Sequence, residues 1–398
     1  MLRKSLLLRM FEAFSIQRWN DKIRPVELTE MDKNAHKMFI AYSLAKLEEK
    51  DGKDIKWNNL IKGGIFEFLR RVVLSDIKSP VYRKIKNNHK EVFNKLNEWV
   101  FQQLSPSIDN DNIKSELKQY LKDEANILDN LSIKILNASH IYASYWEFQI
   151  IKNASPNGYQ IQEINHILLK DIEKYLDLIG MRKIITKCDI TKFLDIVGQL
   201  RFQIRWGNTP RIPKTSVLGH SFMVACISYF LTHELNGCNE RLKNNFFGGL
   251  FHDLPEVVTR DIISPVKGSV SELSDVIKEI EKEMLEDEIY KLLDEDMVND
   301  IKFYTEDEFS SKIYLDNKIM KVTSDDINNK YNDNKYCPLD GEIIKISDHL
   351  SAFIEAQVSI ESGIKSPNTE SAKQSFLNNY KGKIIGGINI GSIYADFI

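Results

Sequence analysis

The chain has 398 residues, 42% of them hydrophobic and 28% charged, ordinary globular proportions that exclude a mainly disordered protein and leave room for two domains. Its 54 Lys+Arg against 57 Asp+Glu leave a net charge of −3, without the basic excess of a protein that coats nucleic acid. No apolar run approaches the roughly 18–20 residues that cross a bilayer, and the four cysteines form no CxxC pair, so reduced thiols in a cytoplasmic protein are expected.

The first fourteen residues have a basic start but only a short apolar stretch, Leu6 to Leu8, which does not read as a secretory signal. Arg18-Trp19 follows. After His36, Phe39, Tyr42, Leu44 and Leu47 recur at helical spacing. Residues 63–81 form an apolar helical block, and residues 136–147 form another. Ser155-Pro156-Asn157-Gly158 breaks the helix, and a further helix is expected over roughly 161–180.

A second series then begins. Arg205-Trp206 precedes His220, which opens a helix after Gly219, and residues 248–266 form a block holding His252-Asp253. Val276, Ile280, Met284 and Ile289 lie within an acidic run, read as an amphipathic helix with a solvated face. Residues 327–340, rich in Asn and Asp, read as an exposed loop. Asp348 lies in an otherwise apolar helix, and the tail 382–398 carries no chemical signal. Period-two alternation is scarce, so an all-α fold is expected.

The two series answer each other. Residues 63–81 and 248–266 align without a gap and share 11 of 19 positions. Arg18-Trp19 answers Arg205-Trp206 at an offset of 187, His36 answers His220 at 184, and 136–147 answers 345–356 at 209. These landmarks imply one duplicated helical unit: a first domain over 1–160, a bridging segment over 161–190 and a second domain over 191–398, packed as a pseudo-dimer.

Chemistry concentrates in the second unit. His220, His252, Asp253 and Asp348 offer imidazole nitrogens and carboxylates on otherwise apolar helices, a donor set for a divalent metal ion. Buried carboxylates need such a partner. Glu256, four residues after His252 and three after Asp253, is expected on the same helix face, although Pro255 puts a helix breaker beside it. Asp348 follows His252 by 96 residues, and Asp316 is the alternative fourth ligand.

The pattern of His220, the doublet His252-Asp253, and Asp348, with Glu256, Val257, Thr259, Asp261, Pro265, Val266 and Lys267 downstream of the doublet, resembles the HD-domain phosphohydrolases. Within them it is most similar to the bacterial 5′-deoxynucleotidases, over about residues 195–365. The resemblance implies one divalent ion (Mn, Co, Fe, Ni or Zn) on His220, His252, Asp253 and Asp348, with Glu256 working beside the activated water. It also implies Arg205 and Trp206 near the nucleotide, Asp261 near the sugar hydroxyl and Lys267 near the phosphate. Asp261 reads equally well as a turn residue before Pro265, and Lys267 as a surface lysine.

In the first unit Glu67-Phe68 stand in place of the doublet, Arg71 in place of Glu256 and Ser139 in place of Asp348, leaving His36 as the surviving ligand. This unit is expected to be a catalytically dead scaffold. The functional expectation is a metal-dependent hydrolase of nucleotide phosphates, 5′-deoxynucleoside monophosphates first. A dNTP triphosphohydrolase or another HD-type nucleotide hydrolase is the rival within the class. A nucleotide-sensing regulator without turnover is the rival outside it. No membrane or dedicated nucleic-acid surface is expected. The chain is expected to be a monomer that forms an internal pseudo-dimer, or a homodimer.

Overall fold

Six long helices frame the site: α1 (Glu30–Lys50), α2 (Trp57–Val73), α3 (Asn130–Ala154), α4 (Val217–Glu234), α5 (Asn239–Phe251) and α6 (Gly341–Glu361). Four of them start where a side chain accepts one of the free N–H groups of the first turn. Thr29 accepts from Asp32 N, Asp129 from Ser132 N, Ser216 from Gly219 N and Asp340 from Ile343 N. The computed structural model describes residues 2–75, 77–260, 270, 272–316 and 318–398. It is 70% helical. Among the described residues the strands are confined to two hairpins, Lys312–Leu315 with Lys318–Lys321 and Ile384–Ile385 with Ile388–Asn389, so the fold is all-α as expected. Among the same residues no helix is long and apolar enough to cross a membrane.

Helix α4 is buried on every side from Val217 to Thr232, and α1 is nearly so. Such central helices leave any polar side chain in need of a protein partner. One continuous core takes side chains from Leu2 through Phe397. Phe39 meets Phe251, and Phe68 meets Phe222, with ring centroids 4.7 and 5.0 Å apart. A smaller cluster of Leu28, Phe148, Ile151, Ile161 and Leu168 seats the helix Ile161–Glu173 against α3. That helix therefore packs on the N-terminal half and ends before residue 180.

One segment differs from the sequence reading. Residues 327–340 are not simply an exposed loop, because Ile327, Leu339 and Asp340 are fully buried. Asn332 and Asn334 side chains accept the backbone N–H groups of Cys238 and Glu240 at the start of α5, and buried Asp340 pairs with Arg241. The tail forms a hairpin and the helix Ile390–Ala395. It sets Tyr394 and Phe397 against Phe353 of α6, at 4.9 and 5.3 Å.

The two halves repeat a set of contacts. Backbone bridges join Gln17 to Thr29 and Ile204 to Ser216. Trp19 and Trp206 both take left-handed backbone, with φ 54° and 58°. A Cβ on Gly249 would strike Ala225, and one on Gly64 would strike Met38; Gly248 presses on Ile344 as Gly63 presses on Leu136. Glu147 accepts hydrogen bonds from Arg18 and Trp19, while Glu355 accepts one from Trp206 and pairs with Arg205 across 3.5 Å. The spatial offsets are 216 − 29 = 187 for α1 and α4, 249 − 64 = 185 for α2 and α5, and 355 − 147 = 208 for α3 and α6.

Candidate metal centre

His220 enters from the first turn of α4 with its ring fully buried. Its Nδ1 lies 3.0 Å from Ser351 Oγ and its Nε2 2.9 Å from Asp348 Oδ1, so both ring nitrogens are committed by α6. His252 follows the last residue of α5. Its Nδ1 donates a 2.8 Å hydrogen bond to the Gly249 carbonyl, which fixes the tautomer and leaves the Nε2 lone pair facing inward. That Nε2 is buried and has no hydrogen-bond partner. Donor atoms of His220, His252 and Asp348 all lie within 4.8 Å of one another. Asp253 flanks them, with Oδ1 3.2 Å from His252 Nε2 and Oδ2 3.8 Å from His220 Nε2.

These residues fit a divalent ion. Ligands bound at about 2.1 Å in neighbouring positions of a metal sit roughly 3 Å apart, as His220 and Asp348 do. A buried imidazole lone pair pointed at carboxylates is otherwise costly, and the carbonyl behind His252 is the usual outer partner of a ligating histidine. Burial alone would raise the Asp348 carboxyl. The His220 hydrogen bond and the charges of His220, His252 and Arg205 outweigh it and hold Asp348 below the ordinary carboxylate range. Burial and Arg205 lower the His220 imidazole, but its bonds to Asp348 and Glu355 bring it above its usual value.

The helical path stops at the doublet. Residues 252–255 form a turn, and Glu256 opens a separate short helix, Glu256–Thr259. Pro255, which has no N–H to donate, stands at the junction. Glu256 therefore does not share a helix face with His252 and Asp253; the turn delivers it beside them, where its charge adds to the field on Arg205. Arg205 Nη1 lies 3.4 Å from Asp253 Oδ2, and its Nε lies 3.5 Å from Glu355 Oε1. Burial would depress this guanidinium, but Glu355, Asp253, Asp348 and Glu256 together raise its pKa. Trp206 and Arg211 line a hollow of about 480 Å³ next to Arg205.

Asp316 lies exposed in the turn after Lys312–Leu315, outside the cluster. Asp261, Lys267, Pro265, Val266 and, in the N-terminal half, Asp76 lie outside the described residues. Three supporting groups escaped the sequence reading: Ser351, Glu355 and Thr215, whose Oγ1 donates to Glu355 Oε1 at 2.9 Å. Ser351 and Glu355 follow Asp348 by three and seven residues, one and two turns along the same helix face. That spacing was the available signal.

The N-terminal correspondence needs correction. At the spatial offset of 187, His220 answers Lys33, since 220 − 187 = 33, and at 208 Asp348 answers His140, since 348 − 208 = 140. His36 is not a surviving ligand. Its Nε2 donates to the Leu194 carbonyl at 3.0 Å and its Nδ1 accepts from Arg201 at 3.1 Å, so it is a satisfied core histidine. Burial and Arg201 hold it well below its usual pKa. Ser139 bonds back to the Ile135 carbonyl within its own helix, as Ser347 does to Ile343.

Residues 197–376 match the family model described as HD domain. The match spans 180 of the 398 residues, and this segment is similar to HD domains. No curated protein and no solved structure matches the chain.

Proposed function

We propose that the C-terminal half hydrolyses nucleotide phosphates, 5′-deoxynucleoside monophosphates first, with one divalent ion held by His220, His252, Asp253 and Asp348. The observation that carries this reading is the buried, unbonded His252 Nε2 facing Asp253, His220 and Asp348, with the Arg205 guanidinium at the rim. A divalent ion bound there supplies Lewis acidity toward a phosphoryl oxygen and makes water easier to deprotonate. Arg205, held by Glu355 and Asp253, neutralises phosphate charge without having to reorganise. Glu256 takes a proton from the attacking water as the new P–O bond forms and passes it to the departing 5′-oxygen as the old one breaks. Trp206 walls the sugar, and the hollow beside it takes the nucleoside. The N/O donor set accepts Mn, Fe, Co, Ni or Zn. The halves of one chain act as an internal pair built on a duplicated unit.

Phosphate release from a panel of nucleotides, with added Mn²⁺ or Co²⁺, tests this. Turnover should yield orthophosphate and fall by orders of magnitude in Asp253→Ala and Asp348→Asn. Triphosphate as the product would reassign the enzyme to the dNTP triphosphohydrolases. Undiminished activity in both variants would refute the site.

A further inference from the structure

The place in the N-terminal half that corresponds to the metal centre is occupied by side chains of another kind. Lys33 answers His220, Glu67 answers His252, Phe68 answers Asp253 (67 and 68 at the offset of 185), and His140 answers Asp348. Lys33 Nζ lies 2.7 Å from His140 Nδ1, and the same ring nitrogen lies 3.0 Å from Glu67 Oε1. Lys37 Nζ pairs with Glu67 Oε2. Lys33 and Lys37 are 1% and 0% exposed. We infer that this half is closed to metal because its own lysines stand where the ion would, Lys33 against the His140 ring nitrogen that faces Glu67, and Lys37 on the other oxygen of Glu67.

The inference rests on the proposed metal centre only for the position of the ion. The donors around Lys33 are spoken for: Glu67 is engaged by Lys37 and His140, and Phe68 offers an aromatic edge to Phe222 where Asp253 offers a carboxylate. Arg71, at the place of Glu256, turns away. It donates to the Leu74 and Ile77 carbonyls and lies 3.6 Å from Glu30. A divalent ion would have to displace the buried Lys37 amine from the Glu67 carboxylate and the buried Lys33 amine from the His140 ring. The Lys33 amine on His140 and the Lys37 amine on Glu67 thus tie down the two groups that stand where proposed ligands stand in the other half, and the frame keeps its shape without a cofactor.

Equilibrium dialysis of the full chain against Mn²⁺ counts ions in the wild type and in His252→Ala/Asp348→Asn. One ion in the wild type and none in the double variant is the expected result. An ion that survives in the double variant and is lost on adding Glu67→Gln overturns the inference. A wild type without any ion counts against the C-terminal reading alone, and a second arm then decides. In the double-variant background, Lys33→His with Lys37→Met sets a second imidazole beside Glu67 and His140 and removes the competing amine. Mn²⁺ should raise the melting temperature of this protein and leave that of its background unchanged. No rise, in a variant whose circular dichroism remains helical, overturns the claim that the lysines exclude the ion.

Discussion

Trp206 Nε1 donates a 2.5 Å hydrogen bond to Glu355 Oε2. The other oxygen of Glu355 accepts from Thr215 and lies 3.5 Å from Arg205 Nε and 3.6 Å from His220 Nδ1. Every group around this buried carboxylate is a donor, so one residue of α6 fixes both the His220 imidazole and the Arg205 guanidinium. Burial would raise Glu355, yet Arg205, Arg211 and His220 keep it well below the carboxylate range.

Replacement of that carboxylate tests its positioning role. In Glu355→Gln one oxygen becomes an NH₂ and meets a donor, leaving a buried polar group unsatisfied at about 1–3 kcal/mol. Loss of an outer partner of this type costs about 10–100-fold in activity or metal affinity. Steady-state kinetics with metal analysis on the same preparation checks it. Unchanged kcat/KM and unchanged metal content would show that Arg205 and His220 hold their places without Glu355.

The approach of α5 to α4 is set by Gly249, where an added Cβ would sit 2.9 Å from Ala225 Cα and 3.0 Å from its backbone N. Backbone cannot yield as a flexible side chain can. Gly249→Ala should therefore separate the helices, at about 1–3 kcal/mol, and draw His252 away from His220. A lower melting temperature together with weaker metal binding is the expected pair of readouts. Normal metal affinity in a destabilised variant would separate packing from site geometry.

Metal removal should be visible in stability as well as in turnover. A ligand that binds the folded state alone, present at 100 times its dissociation constant, stabilises by about 2.7 kcal/mol. EDTA should lower the melting temperature of the wild type and leave His252→Ala unmoved, because that variant lacks the inward-facing Nε2. An equal EDTA effect on both proteins would place the responsible ion elsewhere.

Much of this site is legible in the chain because His252 and Asp253 sit where apolar spacing calls for core residues, and because Pro255 marks where the helix must stop. The contact between Asp348 and His220 is a different matter. It spans 128 residues, and the sequence joins the two only as members of one donor set and through the resemblance to a family, with no local spacing between them. The N-terminal half misleads by letter matching, since His36 looks like the partner of His220 at an offset of 184. The caps Thr29 and Ser216 set 187 instead, and a three-residue slip on a helix moves a side chain almost one turn along. Lys33 could not be read as the counterpart of a metal ligand, because an amine occupying an ion's place has no ligand signature. Glu355 and Ser351 show only as helix spacing until a partner helix is in place.

The buried amine of Lys33 gives the N-terminal half a pH signature. Burial lowers its pKa to about 7, aided by Arg18 and Lys37 and opposed by Glu30 and Glu67; in an unfolded chain a lysine titrates near 10.4. Between those values the unfolded chain holds a proton that the folded chain has released, so folding stability rises with pH. The contribution is complete above about 10.4 and is lost as pH falls toward 7, with a slope of at most about 1.4 kcal/mol per pH unit. Lys33→Met removes the titrating group and with it the slope. Urea unfolding at pH 7.5 and pH 9 should show the wild type gaining stability relative to this variant, by about 1–2 kcal/mol across the interval. Parallel behaviour of the two proteins would mean that the amine stays protonated in the fold, with Glu67 and Glu30 outweighing its burial.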